Sequence, residues 1–178
     1  MIKIKKICFT ALGIALYVCV SMLLKIPVGI GHLSLDLGYV VLAVYCYIYG
    51  GISGAIVGAC GCFTVSLITT SWISVEWTMG NFLIGIICGV VYNKVKDKKF
   101  DILISTIVTV VAVFIGVGII KTVVECAIYS LPLSIKFAKN CVAFVMDAAV
   151  MSIGIVFAKQ FLKRYKRSKL WTQNSKNG

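Results

Sequence analysis

The first apolar stretch of the chain reads ICFTALGIALYVCVSMLL over residues 7–24, and none of its 18 residues is charged. At 1.5 Å of rise per residue, a helix of this length extends about 27 Å, close to the thickness of a bilayer core. The stretch therefore predicts a membrane-spanning helix. It is longer than the apolar part of a cleavable signal peptide and further apolar segments follow it, so we expect it to be retained.

Within this helix, Ala11 and Ala15 are four residues apart and share one face, with Gly13 close by. Small residues at this spacing allow the backbone of another helix to approach closely. The face is therefore predicted either to pack against another helix of the same chain or to dock onto a separate membrane protein.

The composition of the whole chain is that of an all-α integral membrane protein. Of its 178 residues, 60% are hydrophobic and 13% are charged, whereas a soluble domain of this size needs more polar surface. We expect a single membrane domain over residues 1–170 and a polar cytoplasmic tail over residues 171–178. Six transmembrane helices are predicted, at about residues 7–25, 34–50, 52–70, 78–93, 102–129 and 139–162.

The basic residues predict the orientation of these helices. They form clusters before span one, between spans four and five, and after span six: Lys3, Lys5 and Lys6; Lys94, Lys96, Lys98 and Lys99; Lys159, Lys163, Arg164, Lys166, Arg167, Lys169 and Lys176. With six spans, all three clusters lie on one side of the membrane, which the positive-inside rule makes cytoplasmic. Both termini are therefore expected in the cytoplasm, and this topology explains the basic tracts more simply than nucleic-acid binding does.

The sequence carries no motif of a familiar enzyme, metal site or cofactor site. It contains no P-loop, His-Glu-x-x-His or Gly-x-Ser-x-Gly pattern. It has eight cysteines but no Cys-x-x-Cys pair, and His32 is the only histidine, so neither a zinc site nor a disulfide framework is indicated. We expect a protein that is not an enzyme and has no bound metal or cofactor.

Polar side chains within or beside the spans are candidates for ligand binding, because ionisable groups are costly at membrane depth. They lie near the outer ends of spans four, five and six: Trp72, Glu76, Trp77, Asn81, Lys121, Glu125, Asn140, Phe144 and Asp147. We expect them to converge on one outward-facing pocket beneath the Pro/Gly-rich loop over residues 25–34. The competing interpretation is a set of separate interhelical hydrogen bonds.

Two parts of this set keep alternative interpretations. Trp72 and Trp77 either anchor the chain at the membrane interface or stack on a ring-bearing ligand. Lys121 and Glu125 are four residues apart and either form a local ion pair or belong to the site. Three neighbouring residues offer further ligand contacts: Tyr129, Lys136 and Lys139.

Several short motifs, together with the size and the six spans, are similar to those of one known family. The motifs are ALGIA at residues 11–15, LDLGY at 35–39, YGGISGAIVG at 49–58 and GNFLIG at 80–85. On these the sequence resembles the substrate-binding S components of energy-coupling factor (ECF) transporters, which import vitamins into prokaryotes. The resemblance implies a multi-pass protein of the prokaryotic plasma membrane, surrounded by lipid.

The resemblance also implies partners and a mechanism. Ala11 and Ala15 would dock onto a transmembrane coupling protein driven by two cytoplasmic ATPases, and the S component would capture a vitamin from outside and rotate in the membrane to deliver it. Riboflavin is our first candidate for the vitamin. Two other functions stay open: a stand-alone transporter that uses the intramembrane charged residues, and a membrane scaffold without a ligand.

Overall fold

The fold is an α-helical membrane bundle with one short hairpin, seen in a computed structural model that describes residues 2–27, 34–71, 73–96, 98, 100–130 and 132–174. The described elements are α1 (Ile2–Leu23), β1 (Lys25–Pro27), β2 (Ser34–Asp36), α2 (Gly38–Tyr49), α3 (Gly51–Thr70), α4 (Val75–Val95), α5 (Asp101–Val113), a π-helical segment (Phe114–Lys121), α6 (Thr122–Tyr129) and α7 (Leu133–Asn174). Since α5, the π-helical segment and α6 are continuous, they form one span. The predicted all-α membrane fold is confirmed.

Five helices in the described part of the chain are long and apolar enough to cross a bilayer. The second predicted span, at about residues 34–50, corresponds to α2, which has 12 residues and extends only about 18 Å. The predicted start at residue 34 was wrong, because residues 34–36 form β2, which pairs antiparallel with β1. The Asp36 side chain then accepts a hydrogen bond from the backbone N–H of Gly38 at 2.8 Å, at the start of α2.

Close packing of α3 on α4 depends on glycines. A Cβ on Gly85 would lie 2.5 Å from the Ala55 Cα, and one on Gly89 would lie 2.3 Å from the backbone nitrogen of Gly51. Neither distance leaves room for a methyl group, so the two backbones touch directly. The junction before α3 is a single residue, Gly50, at φ +89°.

The small-residue face of α1 divides into two parts. A Cβ on Gly13 would lie 2.5 Å from the Tyr45 ring and 2.8 Å from the Val57 side chain, so this glycine packs inside the bundle. Ala11 and Ala15 are exposed on the outside of it. Packing within the chain therefore explains Gly13 and does not explain the two alanines.

A buried charge joins three helices at the end of the bundle where α5 begins, which the basic residues predict to be cytoplasmic. Asp101, the first residue of α5, is 4% exposed. It accepts a hydrogen bond from the Tyr47 hydroxyl of α2 at 3.0 Å and pairs with Lys159 of α7. This cluster connects the ends of α2, α5 and α7 on the side opposite the candidate site.

Candidate functional site

The described residues enclose a central cavity of about 250 Å³ within the bundle. Its walls come from α1, β2, α2, α3, α4, the π-helical segment, α6 and α7, with one lining residue in the α3–α4 connection. The lining residues are Tyr17, Asp36, Tyr39, Cys62, Val65, Ser66, Thr69, Thr70, Ser74, Trp77, Asn81, Lys121, Glu125, Lys139, Asn140, Ala143, Met146 and Asp147.

Three helices show how deep the central cavity reaches. The lining residues run from Thr70 inward to Cys62 along α3, and from Lys139 inward to Asp147 along α7. In α4 they run from Trp77, near its outer end, to Asn81. Eight residues of helix extend about 12 Å, so the cavity occupies the outer half of the bundle. Asn81, Cys62 and Asp147 mark its inner end.

Lys121 forms one wall of the cavity and is only 4% exposed. Its Nζ lies 3.6 Å from the centroid of the Trp77 ring and donates a hydrogen bond to Asn140 Oδ1 at 2.6 Å. An ammonium held against a ring face in this way is attracted by the quadrupole of the indole. The Trp77 side chain is half-buried. The Lys121 ammonium covers one face of its ring.

Asn140 connects Lys121 to a second pair of charges. Its amide nitrogen donates to Thr122 Oγ1 at 2.9 Å and to Glu125 Oε2 at 3.1 Å. Glu125 Oε1 in turn accepts a hydrogen bond from Lys136 Nζ at 2.5 Å. Glu125 thus forms its ion pair with Lys136 of α7, and Lys121, at the end of the π-helical segment, reaches Asn140 instead of Glu125.

Three buried polar atoms on residues that line the cavity have no hydrogen-bond partner of good geometry among the described residues. These are the Tyr39 hydroxyl, Asn81 Oδ1 and Asp147 Oδ2. Buried polar atoms in proteins are almost always hydrogen-bonded, so each exception needs an explanation.

Six of the residues predicted for the site line the cavity together: Trp77, Asn81, Lys121, Glu125, Asn140 and Asp147. Glu76 and Phe144 are not among its lining residues: Glu76 is buried beside it, and Phe144 packs edge-on against the Phe114 ring at 5.5 Å between centroids. Trp72 and most of the predicted covering loop lie outside the described residues.

The first three helices also contribute to the cavity, which was not predicted from the sequence. Tyr17 of α1, Tyr39 of α2 and Cys62 of α3 all line the inner part of the cavity, although only spans four to six were expected there. Asp36 was the signal available, because it is an ionisable residue between apolar neighbours, the criterion that identified Asp147. It is the last residue of β2, just before α2, and it lines the same cavity.

Comparisons with known proteins agree over nearly the whole chain. The family model for the ECF-type riboflavin transporter S component matches residues 1–167. A UPF0397 protein of Streptococcus agalactiae serotype Ia is 28% identical over 156 residues, which is 85% of this chain and 86% of that protein. The UPF0397 protein YdcD of Lactococcus lactis subsp. lactis is 28% identical over 158 residues, again 85% of this chain and 86% of the relative. The chain belongs to the family of ECF-type riboflavin transporter S components.

Proposed function

We propose that this S component captures a vitamin or related small metabolite from outside the cell in the central cavity, with riboflavin as the first candidate. Members of its family are transporter subunits in the membrane and not enzymes. The observation that carries the proposal is the cavity itself. It lies in the outer half of the bundle and gathers six residues that were singled out from the sequence.

The size and lining of the cavity support a small ligand. Its volume of about 250 Å³ is just below the usual range for ligand pockets, roughly 300–1,000 Å³, so it suits a metabolite better than a peptide or a lipid. The aromatic rings of Tyr17, Tyr39 and Trp77 offer apolar contact to a flat ring. Riboflavin is such a molecule, and the description of the family names it.

The energy for transport would come from partners. The sequence has no nucleotide-binding motif. The exposed alanines of α1, Ala11 and Ala15, support docking onto a transmembrane coupling protein, because small side chains let a partner helix approach closely. That protein would be driven by two cytoplasmic ATPases.

Thermal unfolding of the detergent-purified protein tests the proposal directly. A ligand that binds only the folded state raises the unfolding midpoint, and at a concentration of a hundred times Kd it adds about 2.7 kcal/mol of stability. We expect riboflavin, or another member of a panel of B vitamins, to raise the midpoint in a saturable way. If no compound of the panel shifts it, the proposed function is contradicted and the scaffold function becomes the better account.

One observation favours a second candidate, a stand-alone transporter. The connected side chains of Lys121, Asn140, Glu125 and Lys136 form a network of charged groups at the outer end of the bundle, which a proton-linked transporter would need. Uptake into vesicles containing only this chain, driven by a proton gradient, would establish it. Uptake that requires the coupling protein and ATP would exclude it.

A further inference from the structure

We infer that a groove on the outside of the bundle binds one anionic phospholipid, with its headgroup at Lys6 and an acyl chain along α1. The groove has a volume of about 630 Å³ and shares no lining residue with the central cavity. Its lining residues are Lys6, Ile7, Thr10, Ala11, Ile14, Tyr49, Gly51, Ile52, Ser53, Ile56, Val90 and Asn93. The lipid site is therefore distinct from the cavity, and it does not depend on which vitamin the cavity takes.

The groove lies at the end of the bundle where α1 begins, which the basic residues predict to be cytoplasmic. Along α1 its lining runs from Lys6 to Ile14, and these eight steps of helix extend about 12 Å. Opposite α1 it includes Gly51, the first residue of α3, and Asn93, in the last turn of α4. One leaflet is half of the bilayer core, about 15 Å. The groove thus has the depth of one leaflet, which suits an acyl chain better than a partner helix that crosses both leaflets.

The deeper part of the groove is apolar and open to the surroundings of the bundle. Ile56 and Val90 line it with side chains that are 39% and 47% exposed, so in a membrane they contact lipid. The two hydroxyls on its walls pair within the protein: Thr10 Oγ1 donates to the backbone oxygen of Lys6 at 2.9 Å and lies 3.4 Å from Ser53 Oγ. An acyl chain can therefore fill this part without depriving a polar group of its partner.

The shallow end carries the polar groups that a phosphodiester needs. Lys6 and Asn93 both line the groove and are exposed, and both offer N–H donors. Neither ion pair in the described part of the protein includes Lys6, and none of the lining residues is acidic. A lysine at the cytoplasmic surface attracts anionic lipids. A zwitterionic headgroup carries its own cation and therefore gains less from Lys6.

The lipid site overlaps the face of α1 that carries Ala11. Ala11 lines the groove and is exposed, so a lipid in the groove covers it. A lipid and a coupling protein could therefore not occupy this face together. That consequence rests on the proposed docking of Ala11, whereas the lipid site itself does not.

Native mass spectrometry of the full chain in a neutral detergent tests the site. The protein would be titrated with anionic phosphatidylglycerol and with zwitterionic phosphatidylcholine of the same acyl chains. We expect a saturable complex with one phosphatidylglycerol, bound at least about fivefold more tightly than phosphatidylcholine. Equal affinities would overturn the inference, and so would the lack of a one-to-one complex, which would leave the groove to a protein partner.

Inorganic phosphate distinguishes a lipid from a free anion. At ten times the lipid concentration it should not displace phosphatidylglycerol, because the acyl chain contributes much of the binding. Displacement would show that Lys6 binds a soluble phosphate and would overturn the inference.

Two lysine variants separate the groove from general attraction by the basic cluster. In Lys6→Gln we expect the affinity for phosphatidylglycerol to fall about fivefold, to the level of phosphatidylcholine. The matched control is Lys5→Gln, because Lys5 is exposed on the same helix and does not line the groove. Its affinity should stay within about twofold of wild type. Equal losses in the two variants would overturn the inference.

Filling the groove tests the place of the acyl chain. In Ala11→Trp we expect no one-to-one complex at the lipid concentration that saturates wild type, whereas Ala149→Trp, exposed on α7 away from the groove, should keep it. The thermal midpoint of each variant without lipid shows that it is folded. Wild-type lipid affinity in a folded Ala11→Trp would show that the lipid binds elsewhere.

Discussion

At the scale of single residues, Asn140 is the centre of the outer part of the site. It accepts from Lys121, donates to Thr122 and Glu125, and is 1% exposed. A neutral amide can accept and donate at once, so it can lie between a cation and an anion that do not touch each other. Through Asn140, the position of Lys121 over Trp77 is linked to the pair formed by Glu125 and Lys136.

Replacing the Asn140 amide should destabilise the protein more than the loss of a typical interhelical hydrogen bond does. In Asn140→Leu, the buried ammonium of Lys121 loses its acceptor and Glu125 loses a donor, at a cost of about 3 kcal/mol. The thermal midpoint of the ligand-free protein should fall clearly. The double variant Asn140→Leu/Lys121→Met removes the stranded charge as well, so it should recover at least about half of that loss. Additive losses in the two single variants would contradict the link between them.

A residue of the site could be predicted from the sequence when its polar side chain interrupts an otherwise apolar span. That criterion identified Asn81, Asn140 and Asp147, which the structure brings to one cavity. It could not identify Tyr17 or Tyr39, because a tyrosine in an apolar helix is equally typical of a core. Which partner each charge takes was also unpredictable, since Lys136 reaches Glu125 only through the packing of α7 on α6.

At the scale of elements, two local features set the walls of the cavity. The π-helical segment at 114–121 ends at Lys121 and interrupts the span between α5 and α6. π-helical turns are rare and are frequently found at functional sites. The other feature is the backbone contact of α3 with α4, which brings Cys62 and Asn81 to the same inner end.

A methyl group at the α3–α4 contact should separate these helices. In Gly85→Ala the added carbon would lie 2.5 Å from the backbone of Ala55, so the helices must move apart, at a cost of about 2 kcal/mol or more. We expect a lower thermal midpoint and weaker ligand binding together. In the control Gly118→Ala, the carbon would meet the Phe114 side chain at 3.2 Å, and the midpoint should change little. Equal effects of the two variants would contradict this role of Gly85.

The elements themselves were largely predictable, because charge-free runs of bilayer length have few alternatives in lipid. The exceptions have local causes. Residues 34–36 directly precede an apolar run, but they pair with Lys25–Pro27 as a hairpin, which hydropathy does not detect. The π-helical segment has no distinct signature in a run of valines, isoleucines and glycines.

At the scale of the whole molecule, the protein has two surfaces with different purposes. The central cavity faces the interior of the outer half. The exposed alanines of α1, Ala11 and Ala15, face outward from the bundle. Binding and docking are therefore separate in space, so a substitution can affect one without the other.

A bulky side chain on α1 should stop transport without affecting capture. In Ala11→Trp, the indole prevents close approach of a partner helix, so ATP-driven uptake by the assembled transporter should be abolished. Ligand affinity of the isolated subunit should stay within about twofold of wild type, since the substitution lies outside the cavity. The matched control Ala149→Trp, on an exposed position of α7, should preserve both activities. Loss of binding together with uptake in Ala11→Trp would count against a docking role.

The central claim is that the ligand occupies the cavity, and filling the cavity tests it most directly. Ala143 lines it and is 5% exposed, whereas Ala149 is exposed on the outside of the same helix. Equilibrium binding of the best ligand from the vitamin panel should be measured for Ala143→Phe and Ala149→Phe beside wild type. We predict no saturable binding by Ala143→Phe and wild-type affinity for Ala149→Phe. Wild-type affinity in a folded Ala143→Phe would show that the ligand binds elsewhere.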